Sequence, residues 1–420
     1  MARTLDLILF GATGFVGRLT AEHLATTAPE GLRIGLAGRS RERLEQVRAD
    51  LGPRAADWQL IEADSTDPVS LRALAEATGV VVSTVGPYLR YGIPLVQACV
   101  EAGTDYADLT GEVLFVREIA ERFHDRARET GARIVVSCGF DSVPSDLAVH
   151  LLRRAADADD AGGLADTTLR VRTLKGGLSG GTIDSMRLQL RTVQDDPARR
   201  RLAGDPFALT GGARGASGQR DVWTPFVDAQ TGEWNAPFLM ATYNTRLVRR
   251  SQALREQGYG ERFRYREVTP TGRGARGQLR ALGLTAGLGA LAAALVTPGV
   301  SSLAERLLPA PGEGPSAQAR AAGRFRVETT TTTDDGRQYV ATVAAHGDPG
   351  YAATSVMLGQ SALALVESRG KERDDIRDGG VLTPAVAIGD LLTDRLRDQG
   401  FTLEAREQSS AQPKPHGSGA

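Results

Sequence analysis

Short apolar runs alternate with amphipathic stretches along the first third of the chain. Six runs predict β-strands, at residues 5–10, 32–37, 59–64, 80–85, 104–109 and 133–138. After the first run, Val16, Leu19 and Leu24 recur at the spacing of one helix face. Strands that alternate with helices form a parallel, doubly wound sheet, which binds ligands beyond the carboxyl ends of its strands. The sequence therefore predicts an α/β chain with an N-terminal Rossmann-type domain at residues 1–146.

The hydrophobic pattern changes after residue 146. Apolar and polar positions alternate over residues 325–333 and 338–345 and predict an antiparallel hairpin. Further predicted elements are strands at residues 167–174 and 401–406 and helices at 183–193, 351–368 and 384–399. We expect an α+β substrate domain at residues 147–408 with a mostly antiparallel sheet, whose final helices pack back on the Rossmann domain. Residues 409–420 lack an apolar period and predict a disordered tail.

One long stretch, residues 281–304, contains no charged side chain, and Arg273, Arg276 and Arg280 precede it. It exceeds the roughly 20 apolar residues that cross a bilayer, but it is rich in alanine and glycine and contains Pro298. Three interpretations stay open: a spanning helix, a segment at 273–304 that lies on a membrane with its arginines on anionic head groups, and a buried hairpin. In each case the stretch favours an apolar substrate or a workplace at the inner face of the plasma membrane.

Composition narrows the class of protein. The 420 residues carry a formal net charge of −1, so nothing indicates a nucleic-acid partner. Cys99 and Cys138 are too few for a disulfide framework, and the five histidines lack the spacing of metal ligands. The N-terminus does not resemble a signal peptide, so we expect a cytoplasmic protein. Because the histidines lack the spacing of metal ligands, we expect no metal site. A homodimer is compatible with the sequence, which does not fix the oligomeric state.

The residues after the first strand indicate a dinucleotide site. The turn that opens the next helix contains Gly11, Thr13, Gly14, Phe15, Val16 and Gly17. Glycine lets the backbone approach a pyrophosphate closely, and a helix N-terminus directs unpaired N–H groups and a positive dipole at it. We therefore expect this turn to bind the phosphates of a dinucleotide.

The end of the second strand predicts NADP(H) rather than NAD. A NAD-binding unit carries Asp or Glu about 20 residues past the glycines. This chain has Gly38, Arg39 and Ser40 there instead. A guanidinium pairs with a 2′-phosphate that a carboxylate would repel, so we expect Arg39 and Ser40 to bind that phosphate. The alternative is that Arg39 is a solvated charge at the start of a helix.

Two more strand ends complete the predicted cofactor site. Asp64 ends the third strand, where contacts with adenine are common. Thr84, Gly86 and Pro87 follow the fourth strand, where we expect the nicotinamide ribose. Because the carboxyl ends of parallel strands share one edge of the sheet, these residues are expected to lie near the glycine turn.

Three other patterns resemble functional motifs, and a simpler explanation is open for each. Residues 272–277 also match GxGxxG, but the segment before them does not resemble a buried parallel strand. Residues 177–181 match the GxSxG of hydrolases, but His346, the downstream histidine outside the tail, has hairpin-like surroundings, so a glycine turn is favoured. Asp105 and Asp108 are expected to cap turns, whereas Asp141 either orients a catalytic group or caps a helix.

Several segments together resemble the saccharopine dehydrogenase-like oxidoreductases, and within them the actinobacterial trans-acting enoyl reductases. They are residues 11–17 (GATGFVG), 37–40 (AGRS), 84–88 (TVGPY), 103–112 (GTDYADLTGE), 138–146 (CGFDSVPSD) and 379–384 (GGVLTP). The resemblance covers nearly the whole chain. It implies NADPH-dependent reduction of a C=C bond in an acyl or polyketide chain, delivered on a carrier protein by a separate synthase, in glycolipid assembly at the membrane.

The implied reaction suggests catalytic candidates. Hydride addition to an unsaturated thioester needs a donor for the enolate oxygen and a proton for the α-carbon. Tyr88 and Tyr91 follow the fourth strand and are the phenolic candidates, unless they pack over the cofactor; Asp141 and Ser142 follow the sixth strand. Two other functions stay open: a saccharopine-type amino-acid oxidoreductase, and a non-catalytic NADP-binding protein associated with a membrane.

Overall fold

The first of two sheets is parallel and confirms the predicted Rossmann-type architecture. The computed structural model describes residues 3–176, 180–213, 215–216, 218–297, 314–371 and 379–408. The strands of the first sheet are β1 (Leu5–Phe10), β2 (Ile34–Gly38), β3 (Gln59–Glu62), β4 (Thr78–Ser83), β5 (Asp105–Ala107), β6 (Arg133–Val135) and β13 (Gly380–Leu382). They lie in the order β13-β6-β5-β4-β1-β2-β3, and every pair is parallel.

Five helices connect the strands of this sheet along the chain. They are α1 (Phe15–Thr27), α2 (Arg41–Asp50), α3 (Pro68–Ala77), α4 (Tyr88–Ala102) and α5 (Val113–Thr130), with a short 3-10 turn at Pro53–Ala55. Helices cover both faces of such a sheet, and β4 is buried along its whole length, which explains its continuous apolar sequence. The sequence did not predict β13, which joins the edge of the sheet by pairing Val381 with Ile134.

The second sheet is mixed and mostly antiparallel, as predicted. Its strands are β7 (Leu164–Lys175), β8 (Phe226–Val227), β9 (Trp234–Pro237), β10 (Arg264–Gly272), β11 (Arg324–Thr333), β12 (Gln338–His346) and β14 (Thr402–Glu407). They lie in the order β14-β12-β11-β7-β10-β9-β8. The predicted hairpin is present as β11 and β12, with Val327 opposite Val343, and β7 and β10 form the parallel pair.

The remaining helices join the two sheets. They are α6 (Val143–Ala158), α7 (Gly180–Asp195), α8 (Pro197–Gly204), α9 (Ala241–Leu254), α10 (Gly274–Val296), α11 (Ala317–Ala321), α12 (Thr354–Ser368) and α13 (Pro384–Asp398), with a π-helical turn at Pro349–Ala353. Helix α6 begins near the end of β6 and packs against β7, β11, β12 and β14. Helix α12 packs on α1, and α13 packs on both α6 and α12. The last part of the chain therefore contacts both sheets.

Helix α10 combines an apolar sequence with an exposed surface. Its segment Gly274–Leu295 is, within the described ranges, the one helix long and apolar enough to cross a membrane, and only 11% of its most apolar part is buried. Leu279, Leu282 and Leu284 are exposed on it. The first turn of α10 lies close to the backbone of the glycine turn before it, because a Cβ on Gly277 would overlap the carbonyl oxygen of Gly272.

Three sequence predictions fall wholly or partly outside the described residues. They are the GxSxG segment at residues 177–179, the uncharged stretch from residue 298 to 304, and the predicted disordered tail at residues 409–420.

Candidate active site

A cleft opens at the carboxyl ends of the strands of the parallel sheet. Its lining comes from the glycine turn after β1, the segments after β4, β5 and β6, the first half of α7, and the π-helical turn. Ligand sites of doubly wound sheets lie at this edge. The cleft thus lies where the alternation of strands and helices predicted a ligand.

The glycine turn has the shape that a pyrophosphate requires. Gly11 has a φ of +89°, in the left-handed region that favours glycine. A Cβ on Gly17 would overlap the carbonyl oxygen of Gly11, so α1 can approach the turn this closely only with glycine there. No side chain caps the N-terminus of α1 at Gly14, and its first turn carries no acidic residue. The free N–H groups at the start of α1 and the glycines at the points of close approach fit an anionic pyrophosphate.

The segment after β4 is tied to this turn. Thr84 Oγ1 donates a hydrogen bond of 3.1 Å to the carbonyl oxygen of Gly11, and the Thr84 N–H donates to that of Phe10 at 3.0 Å. Gly86 and Pro87 follow, joined by a cis peptide bond, and both line the cleft. The structure therefore brings Thr84, Gly86 and Pro87 together with the glycine turn, as the sequence predicted.

Arg39, Ser40 and Asp64 lie side by side at the ends of β2 and β3. The two strands are linked there by a hydrogen bond of 3.1 Å from the Ala63 N–H to the carbonyl oxygen of Gly38. Ser40 Oγ accepts from the Arg43 N–H at 3.3 Å and caps α2. Asp64 Oδ1 accepts from the N–H and the hydroxyl of Thr66, each at 2.8 Å. Those hydrogen bonds and the nearby charge of Arg39 lower the pKa of Asp64.

The exposed guanidinium of Arg39 is the group of this set that is available to a 2′-phosphate. Arg39 is exposed, and the residue before it, Gly38, lies beside the glycine turn. A Cβ on Gly38 would be 3.8 Å from the side chain of Thr13. The side chains of Ser40 and Asp64 already accept hydrogen bonds from backbone N–H groups a few residues further along the chain. The assignment of these residues to the phosphate and the adenine stays a prediction.

The two tyrosines after β4 lie in different surroundings. Tyr88 is buried, and its hydroxyl donates to the carbonyl oxygen of Ser83 at 3.0 Å and accepts from the Leu109 N–H at 3.2 Å. Burial raises the pKa of Tyr88 well above its usual value. Tyr91 is half-buried outside the lining of the cleft, and the guanidinium carbon of Arg90 lies 5.1 Å from its ring centroid. In this arrangement neither phenol offers a proton to the cleft.

Asp141 and Ser142, in contrast, both line the cleft at the start of α6. Ser142 Oγ donates to Asn244 Oδ1 at 3.1 Å, and Asn244 Nδ2 donates to Glu267 Oε2 at 3.1 Å. Tyr265 donates to the other oxygen of Glu267 at 2.8 Å. Burial raises the pKa of Glu267 to about 7. A buried network from the second sheet therefore positions Ser142.

Sequence reasoning missed a hydroxyl pair behind this edge of the cleft. Ser137 follows β6, lines the cleft and has a φ of +64°. Its Oγ lies 2.5 Å from the hydroxyl oxygen of Tyr243 on α9. The two residues are 106 positions apart, and no motif links them. The position of Ser137 at the end of a predicted strand was the one available signal.

The other carboxylates near the cleft hold the fold together. Asp108 Oδ1 accepts from the N–H groups of Ser137 at 2.8 Å and Thr110 at 3.0 Å, and burial raises its pKa to about 7. Asp146 accepts from Ser251 at 2.5 Å and from the Ala385 N–H at 2.8 Å. The expectation that Asp108 caps a turn agrees with these contacts.

Glu112 links α7 to the start of α4. Its two carboxylate oxygens accept from the N–H groups of Tyr88 at 2.9 Å and Leu89 at 2.7 Å, and Ser185 Oγ donates to it at 2.8 Å. Burial raises the pKa of Glu112. Ser185 lines the cleft, so this carboxylate fixes one side of it. Within the described part of the chain, no cluster of His, Cys, Asp or Glu could hold a metal ion.

The lining of the cleft carries little charge of its own. Among the described residues that form it, Asp141 and Asp184 are the charged side chains, and neither lysine nor arginine takes part. Phe140, Met186 and Met240 supply apolar surface. Such a cleft suits a neutral, largely apolar substrate beside a dinucleotide.

Comparisons with known proteins identify the dinucleotide unit. A family model described as the saccharopine dehydrogenase NADP binding domain matches residues 7–135, which begin in β1 and end with β6. This match confirms the prediction of NADP(H).

Two relatives match along nearly their whole length. A Mycobacterium tuberculosis protein provisionally named a trans-acting enoyl reductase is 47% identical over 419 residues, covering 97% of this chain and 99% of that protein. A second protein of that organism, named a trans-acting enoyl reductase, is 45% identical over 414 residues, covering 96% and 97%. Among solved structures, apo saccharopine dehydrogenase (L-Glu forming) from Saccharomyces cerevisiae matches with a TM-score of 0.51 and 16% identity, covering 96% of this chain and all of that one. The last likeness concerns the fold alone.

Proposed function

This chain belongs to the family of the trans-acting enoyl reductases, and we propose that it is an NADPH-dependent enoyl reductase. It reduces the C=C bond of an α,β-unsaturated acyl or polyketide chain. A separate synthase presents that chain on its carrier protein, and the product enters lipid or glycolipid assembly.

The observation that carries this proposal is the composition of the cleft. The glycine turn that lines the cleft, and Arg39 outside that lining, fit the phosphates of NADPH, which supplies a hydride to the β-carbon when bound. Phe140, Met186 and Met240 receive the acyl chain and exclude water from it. Asp141 and Ser142 border the thioester, with Ser142 oriented by Asn244.

The same cleft disfavours a saccharopine-type substrate. An amino-acid adduct carries several carboxylates and requires cationic partners at hydrogen-bonding distance. The described lining holds Asp141 and Asp184 and no cation. Arg246, Arg249 and Arg250 lie on α9, where they are buried and bond to Asp221 and to backbone carbonyls instead.

The exposed helix α10 supports a location at the inner face of the plasma membrane. Leu279, Leu282 and Leu284 present apolar surface, and Arg276 and Arg280 are exposed beside them. Apolar side chains enter the boundary of a bilayer, and arginines attract anionic head groups. Helix α10 also contacts α7, which lines the cleft, so membrane contact brings the cleft close to lipid.

The proposed function is tested with purified protein and α,β-unsaturated thioesters, both free and bound to a carrier protein. Oxidation of NADPH together with formation of the saturated thioester is the expected result, with NADH much less effective. NADPH binding without turnover of any of these substrates would contradict the proposal and favour the non-catalytic alternative. Turnover of a glutamate–semialdehyde adduct alone would favour the saccharopine-type alternative.

A further inference from the structure

We propose that Ser137 donates the proton that completes enoyl reduction, and that Tyr243 positions Ser137 and restores its proton. This inference rests on the proposed function. It adds a catalytic residue, Ser137, and a positioning residue, Tyr243, to the site.

The geometry around Ser137 is unusual for a serine. Its φ of +64° lies in the left-handed region, which residues other than glycine rarely adopt. Its N–H donates to Asp108 Oδ1 at 2.8 Å, which holds this conformation in place. Backbone strain that the surroundings maintain is characteristic of functional sites. Here it places the hydroxyl between the cleft and Tyr243.

Four other hydroxyls of the cleft have fixed acceptors for their protons. Thr84 and Tyr88 donate to backbone carbonyl oxygens, Ser142 donates to Asn244, and Ser185 donates to Glu112. Ser137 differs, because its partner at 2.5 Å is a phenol that can itself donate. When Tyr243 donates to Ser137 Oγ, the proton of Ser137 is free to point into the cleft.

The surroundings of Tyr243 suit a proton reservoir. The residue is 3% exposed, and burial raises its pKa, so that the phenol is protonated at neutral pH. Arg250 lies two helical turns further along α9, and its positive charge favours the phenolate. The carboxylates of Asp108 and Glu112 raise the pKa of Tyr243 and so favour the protonated phenol. The proton therefore stays on the phenol at rest, and the hydrogen bond with Ser137, which favours the phenolate, provides its route to the cleft.

The proposed step balances in protons and electrons. Hydride addition to the β-carbon moves the electron pair of the C=C bond onto the α-carbon and the carbonyl oxygen. The O–H bond of Ser137 then breaks as its proton forms the new C–H bond at the α-carbon, and the proton of Tyr243 passes to Ser137 Oγ. After product release, a proton from water in the cleft returns to Tyr243 through Ser137. The net reaction consumes one hydride and one solvent proton.

The test compares Ser137→Gly and Tyr243→Phe with the wild type on an enoyl thioester of N-acetylcysteamine. Glycine removes the hydroxyl but accepts the left-handed backbone, so Ser137→Gly is expected to fold at least as well as the wild type. We expect kcat to fall about 100-fold in Ser137→Gly and about 10-fold in Tyr243→Phe, with KM and NADPH affinity nearly unchanged. The double variant is expected to be no slower than Ser137→Gly, because the two residues act in one relay.

A product readout separates a chemical role from a structural one. In D₂O, the wild type is expected to place deuterium on one face of the α-carbon, as NMR of the product reports, and Ser137→Gly to lose this preference. Tyr339→Phe is the matched control, since its hydroxyl bonds Asp159 at 2.9 Å outside the cleft. Retained kcat and facial preference in Ser137→Gly would overturn this inference and leave the proposed function intact. A wild type that reduces no enoyl thioester would overturn both.

Discussion

Arg133 and Asp105 form a buried ion pair between neighbouring strands β6 and β5. Nη2 of Arg133 lies 2.5 Å from Oδ2 of Asp105, and the two side chains are 5% and 1% exposed. The same guanidinium donates to Ser368 Oγ at 2.7 Å and to the carbonyl oxygen of Leu365 at 2.8 Å, both on α12. One side chain thus ties a helix from the end of the chain to the parallel sheet.

Removing Arg133 is expected to destabilise the protein strongly. Arg133→Met leaves the buried Asp105 carboxylate with Arg369, whose Nη1 lies 2.9 Å from Oδ2, as its remaining cationic partner, and we expect a loss of about 2–3 kcal/mol in the free energy of unfolding. The control is Arg33→Met, which breaks the pair with Asp6, where Arg33 is 54% exposed and solvent screening makes the expected loss of stability much smaller. Denaturant unfolding of both variants measures the difference. Equal losses would contradict the assignment of the buried pair as an anchor.

Arg39 is expected to determine the preference for NADPH over NADH. Loss of a charge-assisted contact to the 2′-phosphate in Arg39→Ala weakens NADPH binding about 10- to 100-fold and leaves NADH binding unchanged. Arg41→Ala is the control, because Arg41 is exposed and pairs with Glu45 at 3.3 Å. Fluorescence titration with both cofactors reports the affinities. A wild type that binds NADPH and NADH equally would mean that Arg39 is a solvated surface charge.

Much of the fold could be predicted because its signals are local. The apolar sequence of β1 and the alternation along β11 and β12 predicted those strands, since burial on two faces or on one face determines each pattern. Strands β8, β9 and β13 have two to four residues each, too few for a period, and they form through pairing with distant strands. Their existence depends on tertiary contacts that the sequence does not display.

In the candidate site, too, the features set by local sequence could be predicted, and those set by distant contacts could not. The glycine turn could be predicted because one local motif, residues 11–17, contains all of it. The chemistry of Tyr88 was not predictable, because its hydroxyl bonds the backbone of Ser83 and Leu109. The pairing of Ser137 with Tyr243 requires α9 to lie beside the segment that follows β6, which no local pattern encodes.

Gly17 is expected to tolerate no side chain. In Gly17→Ala, the methyl group overlaps the carbonyl oxygen of Gly11, so the start of α1 has to shift away from the turn. We expect at least a tenfold loss of NADPH affinity and a loss of about 1–3 kcal/mol in stability. Gly204→Ala is the control, since a Cβ there meets no atom within 4 Å. Unchanged NADPH affinity in Gly17→Ala would exclude this turn as the pyrophosphate site.

The buried carboxyl of Glu267 is expected to make stability depend on pH. Its pKa is raised from 4.5 to about 7, so the folded protein binds more protons than the unfolded chain between these values. The contribution of Glu267 to stability therefore falls as pH rises from 4.5 to 7, and it is fully lost above that window. Glu267→Gln removes this contribution, and we expect it to change the stability difference between pH 5 and pH 7 by about 1–3 kcal/mol.

This pH effect is measured as the difference in the free energy of unfolding between Glu267→Gln and the wild type at each pH. His23, whose pKa burial lowers to about 4, contributes a slope of the opposite sign in both proteins and cancels in that difference. Denaturant unfolding at pH 5, 6 and 7 and constant ionic strength provides the values. A difference that does not vary with pH would show that Glu267 titrates at its ordinary value.

Helix α10 is expected to hold the protein on anionic membranes. Replacing Leu279 and Leu282 with Glu removes two side chains that are 73% and 51% exposed and would otherwise enter lipid, so binding to phosphatidylglycerol vesicles falls at least tenfold. Arg276→Ala with Arg280→Ala is expected to weaken binding to these vesicles more than to neutral phosphatidylcholine vesicles. Val69→Glu is the control, as Val69 is 76% exposed on α3, away from α10. If vesicle flotation shows equal binding of all variants, the apolar face of α10 serves another partner, and a shift in oligomeric state on Leu279→Glu would identify a second copy of the chain.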